Sequence, residues 1–92
     1  MRKRVTLSGN KMTSREVLHT YLAKKLAFPA YYGKNLDALH DCLTEVGQPT
    51  QLELVNTAAL EALGAYGQAL CSTLRDAARH NPALTLSCEE PF

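Results

Sequence analysis

Two carboxylates and a histidine stand close together in the segment from Phe28 to Thr44. Asp37, His40 and Asp41 are three and four residues apart, so on an α-helix they share one face. Such a set is able to ligate a metal, or to act in acid–base catalysis with His40 as the general base. It also suits capture of a cationic partner, because Asp37 and Asp41 lie one helical turn apart and repel each other.

The catalytic interpretation is the weaker one. A catalytic site usually needs a concave pocket and groups from several elements. We expect the other two histidines, His19 and His80, on distant polar helix faces, and no HExxH or EF-hand motif occurs. Carboxylates on the outside of one helix also lack the burial that tunes their protonation. We therefore predict that the protein is not an enzyme and uses no metal or cofactor, and we keep catalysis as an alternative hypothesis.

A predicted helix from about Asn35 to Glu45 positions these acids. One arc of this helix is apolar and contains Leu36, Leu39, Cys42, Leu43 and Val46; the opposite arc is polar and contains Asp37, His40, Asp41, Thr44 and Glu45. Two tyrosines, Tyr31 and Tyr32, precede the helix, and we expect both at the surface. Aromatic side chains beside charges are enriched at binding hot spots, so the segment favours a partner-binding surface over a merely solvated face.

The rest of the chain alternates predicted strands and helices. The strands are expected at Arg4–Leu7, Gln51–Val55 and Leu84–Ser87, with a frayed tail from Cys88 onward. A first helix is expected to begin at an N-cap, Thr13, paired with Glu16. Two later helices are expected from Thr57 to Leu63 and from Tyr66 to about His80. This order predicts parallel strands joined by helical crossovers. The expected fold is α/β, a small three-stranded parallel sheet packed with about four helices, in a single domain over residues 1–92.

The net charge of +1 conceals an uneven distribution. Residues 1–25 hold seven basic residues and one acid, whereas residues 31–64 hold one basic residue and five acids. We interpret the basic third as solvated side chains and expect no direct nucleic-acid binding, since no RNA-binding motif accompanies it. No apolar run reaches the length of a membrane span, and three cysteines without CxxC spacing argue against a disulfide framework. We therefore predict a cytoplasmic protein that does not bind membranes.

The residues from Phe28 to Thr44 also identify a family. Three runs, Tyr31-Tyr32-Gly33, Asn35-Leu36-Asp37-Ala38-Leu39 and Asp41-Cys42-Leu43-Thr44, resemble the barstar family of intracellular inhibitors of a secreted bacterial ribonuclease. Twelve positions agree there without a gap, and a weaker likeness spans the chain. The resemblance implies a three-stranded parallel sheet with packed helices. It also implies that the second helix and the loop before it plug the active site of one nuclease molecule.

The resemblance assigns roles to individual residues. Asp41 would occupy the place of an RNA phosphate and face the arginines and histidine of the nuclease, and Asp37 would be a second acidic contact. The other positions that match or face the partner are Tyr31, Gly33, Asn35, Leu36, His40, Thr44 and Asp76. This chain departs from the founding member, which has tryptophan at the position of His40 and an acid at that of His80.

The resemblance therefore predicts a ribonuclease inhibitor. The expected partner is a secreted microbial, barnase-like ribonuclease in a 1:1 complex, with the inhibitor monomeric when free. An alternative is that the same scaffold binds a different basic protein that is not a nuclease.

Overall fold

The computed structural model describes residues 3–88 and shows a three-stranded sheet with helices packed against it. Its strands are β1 (Lys3–Ser8), β2 (Thr50–Val55) and β3 (Leu84–Cys88), and its α-helices are α1 (Arg15–Leu26), α2 (Leu36–Thr44) and α3 (Ala65–His80). Two 3-10 helices, Gly9–Lys11 and Thr57–Leu63, follow β1 and β2. The predicted fold class is confirmed.

The sheet has the order β1-β2-β3, and both strand pairs are parallel. Val5 is opposite Leu52, which is opposite Leu86 on the far strand. Parallel neighbours cannot be joined by a tight hairpin, so each connection must cross over through helical structure. The β1–β2 connection carries α1 and α2, and the β2–β3 connection carries the second 3-10 helix and α3.

Helices cover one face of this sheet in the described part of the chain. Side chains point alternately to the two faces of a strand. In β1, Val5 and Leu7 therefore point into the core, while Arg4 and Thr6 point to solvent. On the solvent face Glu53 is 3.4 Å from the Arg4 Nε and accepts a hydrogen bond from the Thr6 hydroxyl at 3.3 Å. The single apolar face explains why the strands alternate rather than reading as continuous hydrophobic runs.

The core is made mainly of leucine. Its largest buried side chains come from β1, β2 and all three helices and include Leu7, Leu18, Leu22, Leu39, Leu43, Leu52, Leu54, Leu70 and Leu74. α3 also approaches the preceding 3-10 helix closely at Gly67, where an added Cβ would lie 2.5 Å from the Leu60 carbonyl oxygen. A side chain at this position would therefore push α3 away from the core.

Two predicted boundaries are wrong. α1 is capped by Ser14, not Thr13, because Ser14 is the extended residue whose hydroxyl accepts from the Val17 N–H at 3.2 Å. Cys88 is not part of a frayed tail, because it is the last residue of β3 and pairs with Leu54. The rest of the predicted tail, residues 89–92, lies outside the described residues.

Within residues 3–88 no helix has the length and apolar composition that crossing a membrane requires.

Candidate partner-binding surface

The loop before α2 places its two tyrosines on opposite sides. Tyr31 is 83% exposed, whereas Tyr32 is only 7% exposed, so the prediction that both lie at the surface is wrong for Tyr32. The Tyr32 ring packs against Phe28, with the ring centres 4.8 Å apart. Tyr32 thereby anchors the loop to the core. Tyr31, which precedes it, faces solvent.

His19 forms the anchor point for Tyr32. The sequence placed His19 on a polar helix face, but it is 1% exposed, with Nδ1 2.7 Å from the Tyr32 hydroxyl and Nε2 2.6 Å from the Tyr66 hydroxyl. In a neutral imidazole one nitrogen donates and the other accepts, so both tyrosines are satisfied without a charge. Burial, with a smaller contribution from Lys34, lowers the pKa of His19 and favours this neutral form.

The error at His19 has a physical reason. Val17 is apolar, and hydropathy alone would place it in the core, but it is 44% exposed. The buried face is instead made by Leu18, His19 and Leu22, so α1 is rotated towards His19. Hydropathy alone cannot predict this, because the two hydroxyl groups that make burial of His19 tolerable are 13 and 47 residues away along the chain.

Asn35 begins α2. Its side-chain oxygen accepts from the Ala38 N–H at 2.7 Å, and its side-chain nitrogen donates to the Gly33 carbonyl at 3.3 Å. Lys34, between them, has a left-handed backbone with φ 55°, which is strained for a residue with a Cβ. Gly33 and Asn35 are both predicted partner contacts, and in the structure their hydrogen bond and the Asn35 cap fix the start of α2.

Asp37, Asp41 and Glu45 form an exposed row along α2 and its C-cap, which we call the acidic face. Asp37 lies in the first turn, where the helix dipole stabilises a negative charge, whereas Asp41 lies too far along to benefit. None of the three carboxylates has an ion-pair partner among the described residues. The Thr44 hydroxyl donates to the backbone carbonyl of Asp41 at 2.9 Å and leaves its carboxylate free.

A shallow cleft of about 250 Å³ separates the acidic face from the loop. It is lined by Tyr31, Tyr32, Gly33, Ala38, Asp41, Cys42 and Glu45. Burial, followed by the nearby charges of Glu45 and Asp41, raises the pKa of the Cys42 thiol. The thiol is therefore held in its protonated form, and the negative charge at the cleft comes from the carboxylates.

The remaining predicted contacts lie on the apolar side of α2 or on α3. Leu36 is half-buried and packs against the core, so only part of its side chain is available to a partner. Asp76 is exposed on α3 and lies 3.7 Å from Arg79, a loose ion pair between two solvated side chains. His80 is one turn after Asp76, and its ring lies 5.7 Å from that of His40, so the expectation that these histidines are distant is wrong.

Asn81 holds the C-terminal end of α2, a role that the sequence did not predict. It is 7% exposed, and its side-chain nitrogen donates to the carbonyls of Leu43 and Val46 at 2.9 Å each. Its side-chain oxygen accepts from the Ala83 N–H at 3.0 Å. One buried amide thus donates to carbonyl groups at the C-terminal end of α2, where the helix no longer supplies all the N–H donors. An Asn-Pro pair after a helix is the only sequence signal, and it does not distinguish this role from a turn.

The catalytic alternative would require Asp37, His40 and Asp41 to act together at one site. In the described part of the chain, no group of three or more His, Cys, Asp or Glu side chains is placed to hold a metal ion. Asp37 and Asp41 are exposed, and half-buried His40 contacts a second histidine, His80. What the surface offers is exposed negative charge beside an exposed aromatic ring.

The structure is a small α/β fold with exposed carboxylates on α2 beside the exposed ring of Tyr31. Residues 2–88 match the family model described as Barstar (barnase inhibitor), so the chain belongs to the barstar family. It is also 40% identical over 77 residues to a Bacillus subtilis (strain 168) protein named "Putative ribonuclease inhibitor YrdF". That match covers 82% of this chain and 85% of the relative.

Proposed function

We propose that this protein inhibits a ribonuclease by occupying the enzyme's active site with α2 and the loop before it. The observation that carries the proposal is the free carboxylate of Asp41, exposed at the centre of the acidic face and without an ion-pair partner among residues 3–88. A ribonuclease active site arranges cationic groups to bind a phosphate. A carboxylate in the same place gains charge-assisted hydrogen bonds from groups that are already positioned, and guanidinium groups match carboxylates especially well.

The neighbouring residues complete the proposed interface. Tyr31, being 83% exposed, provides an aromatic surface against which a partner ring or guanidinium can pack. Asp37 and Glu45 extend the negative charge on either side of Asp41, which should speed encounter with a basic enzyme in a salt-dependent way. Gly33, Asn35, Thr44, His40 and Asp76 form the proposed edge of the contact.

The proposed partner is a secreted, barnase-like ribonuclease in a 1:1 complex. One acidic face per chain supports this stoichiometry, since each copy offers a single surface of this kind among the described residues. We infer that the inhibitor is monomeric when free and acts in the cytoplasm, where a nuclease must be neutralised before it is exported. In this mechanism the protein itself catalyses no reaction.

A titration of RNA cleavage tests the proposal. Increasing amounts of the protein are added to a small barnase-like ribonuclease from the same genome, at a nuclease concentration well above the dissociation constant. We expect activity to fall linearly to zero at one equivalent of the protein. We also expect a mononucleotide bound in the active site to lower the rate at which inhibition develops, because it must leave first. If the bound mononucleotide left this rate unchanged, the result would contradict occlusion of the active site.

A different basic partner remains the second candidate, favoured by the residues at the edge of the surface. The contact between His40 and His80 replaces the large aromatic and acidic side chains that the founding member has at these positions. Capture of a basic protein that has no RNA-cleaving activity, with Asp41→Asn abolishing the capture, would support this candidate over the first.

A further inference from the structure

The contact between His40 and His80 joins two helices at the edge of the proposed interface. His40 is half-buried in the middle of α2, and His80 is exposed at the last position of α3. Their ring centres are 5.7 Å apart, and the planes are inclined at 75°. This is an edge-to-face arrangement, so the two rings are held beside each other where the two helices meet.

We infer that His40 and His80 form a two-histidine site for a divalent transition-metal ion such as Ni²⁺ or Zn²⁺. Imidazole nitrogen is a preferred ligand of these metals. Two nitrogens that each lie about 2.0–2.1 Å from a zinc ion are at most about 4.2 Å apart. Rings with centres 5.7 Å apart are within that reach, since the nitrogens lie on the ring edges and His80 is exposed at the end of α3.

Charged groups of both signs surround the pair. Asp37 lies one turn before His40 on α2, and Asp76 lies one turn before His80 on α3. Both carboxylates are exposed and add negative potential near the site, although Asp76 shares its charge with Arg79. Arg75 and Arg79 on α3 are the nearby cations in sequence and oppose binding.

The site is expected to have only two protein ligands. No third His, Cys, Asp or Glu side chain within the described residues is placed to complete a metal cluster. Water would fill the other coordination positions, so binding should be reversible and weaker than in a closed structural site.

Metal binding in the isolated protein decides the inference. Ni²⁺ is titrated into the reduced protein by calorimetry, and thermal melts are recorded with and without an excess of the ion. We expect a binding stoichiometry of one and a rise in the melting midpoint of roughly 4 °C or more. His40→Gln and His80→Gln should each weaken binding by about tenfold or more, because each removes one of two ligands.

Two controls exclude other metal sites. Mg²⁺ prefers oxygen ligands, so it should give no shift; an equal shift with Mg²⁺ would assign the effect to carboxylates and overturn the inference. Cys42→Ser removes the half-buried thiol of α2 and should leave Ni²⁺ binding unchanged. Loss of binding in Cys42→Ser, or full binding in either glutamine variant, would also overturn it.

A consequence for inhibition rests on the proposed function. A bound divalent ion places positive charge on the surface that is proposed to face a basic nuclease, so Ni²⁺ should weaken inhibition by the unmodified protein but not by His80→Gln. Binding that depends on both histidines but leaves inhibition unchanged would support the metal site and contradict the proposed position of the nuclease on α2. The two proposals therefore fail in distinguishable ways.

Discussion

Replacement of Asp41 by asparagine separates a binding role from a structural role. The substitution keeps the shape of the side chain and removes only its charge. In the structure the Asp41 carboxylate is exposed and has no ion-pair partner among residues 3–88. The hydrogen bond that the Thr44 hydroxyl donates to the Asp41 backbone carbonyl survives the change, because it does not involve the side chain.

The expected effect on stability is small and favourable. Asp41 is four residues from both Asp37 and Glu45, and like charges at this spacing destabilise a helix by about 0.2–0.5 kcal/mol per pair. Asparagine removes both repulsions but is a slightly different helix former, so we expect the free energy of unfolding to change by between about 0 and +1 kcal/mol. Chemical denaturation followed by circular dichroism measures this change.

The expected effect on inhibition is large and opposite in sign. In the complex the Asp41 carboxylate would lose its water and contact cationic groups of the nuclease. Removing its charge is then expected to weaken binding by at least about 2 kcal/mol, or roughly 30-fold in Kd. The inhibition constant is measured by RNA cleavage at several inhibitor concentrations. The matched control is Glu61→Gln, which makes the same change in net charge at an exposed position outside the acidic face; it should change the inhibition constant less than about threefold.

Two results would refute this reasoning. If Asp41→Asn and Glu61→Gln weakened inhibition equally, only the total charge would matter and Asp41 would have no specific contact. If Asp41→Asn instead lowered the free energy of unfolding by more than about 1 kcal/mol, its carboxylate would be serving the fold.

Three positions outside the acidic face test how the fold supports it. Ala27→Gly should raise the free energy of unfolding by about 0.5–1 kcal/mol in chemical denaturation, because Ala27 ends α1 at φ 55°, where a Cβ is strained. Asn81→Asp should lower it by at least about 2 kcal/mol, because a carboxylate cannot donate to the carbonyl groups at the end of α2. Stability should also fall as the pH drops through 6.5: burial lowers the pKa of folded His19, so the unfolded chain binds more protons.

Each of these outcomes has its own control. Ala30→Gly, at a residue without positive φ, should not stabilise the protein; if it did so as much as Ala27→Gly, the strain argument would be wrong. Asn81→Asp should recover part of its stability at low pH, where the new carboxyl is protonated and able to donate. For the histidine, His19→Gln should flatten the pH dependence of stability near 6.5, and an unchanged profile would assign that dependence to other groups.

Much of the fold follows from local pattern. The apolar arc of α2 is confirmed, with Leu39 and Leu43 fully buried and Leu36, Cys42 and Val46 packed against the core. The alternation in β2 and the order of strands and helices predicted the parallel sheet. These features depend on residues within one element, or on the short list of ways in which a chain can connect parallel strands, and both can be read along the sequence.

The position of the acids was also predictable, because it depends on the same period. Asp37 and Asp41 lie outward because Leu39 and Leu43 on the same helix lie inward. The pattern could not show how the loop beside them is held. Tyr31 and Tyr32 are the same residue type and adjacent in sequence, yet Tyr31 is exposed and Tyr32 is buried.

Tertiary structure alone decided those supporting contacts. His19 is buried because hydroxyls 13 and 47 residues away complete its hydrogen bonds, and Asn81 is buried because carbonyls 35 to 38 residues away accept from it. A polar side chain is tolerated in a core only when its partners are present, and hydropathy carries no record of partners that are distant in sequence. The sequence by itself therefore determined which surface of α2 is charged. The packing of α1, α3 and the loop determined how that surface is held and which histidines meet at its edge.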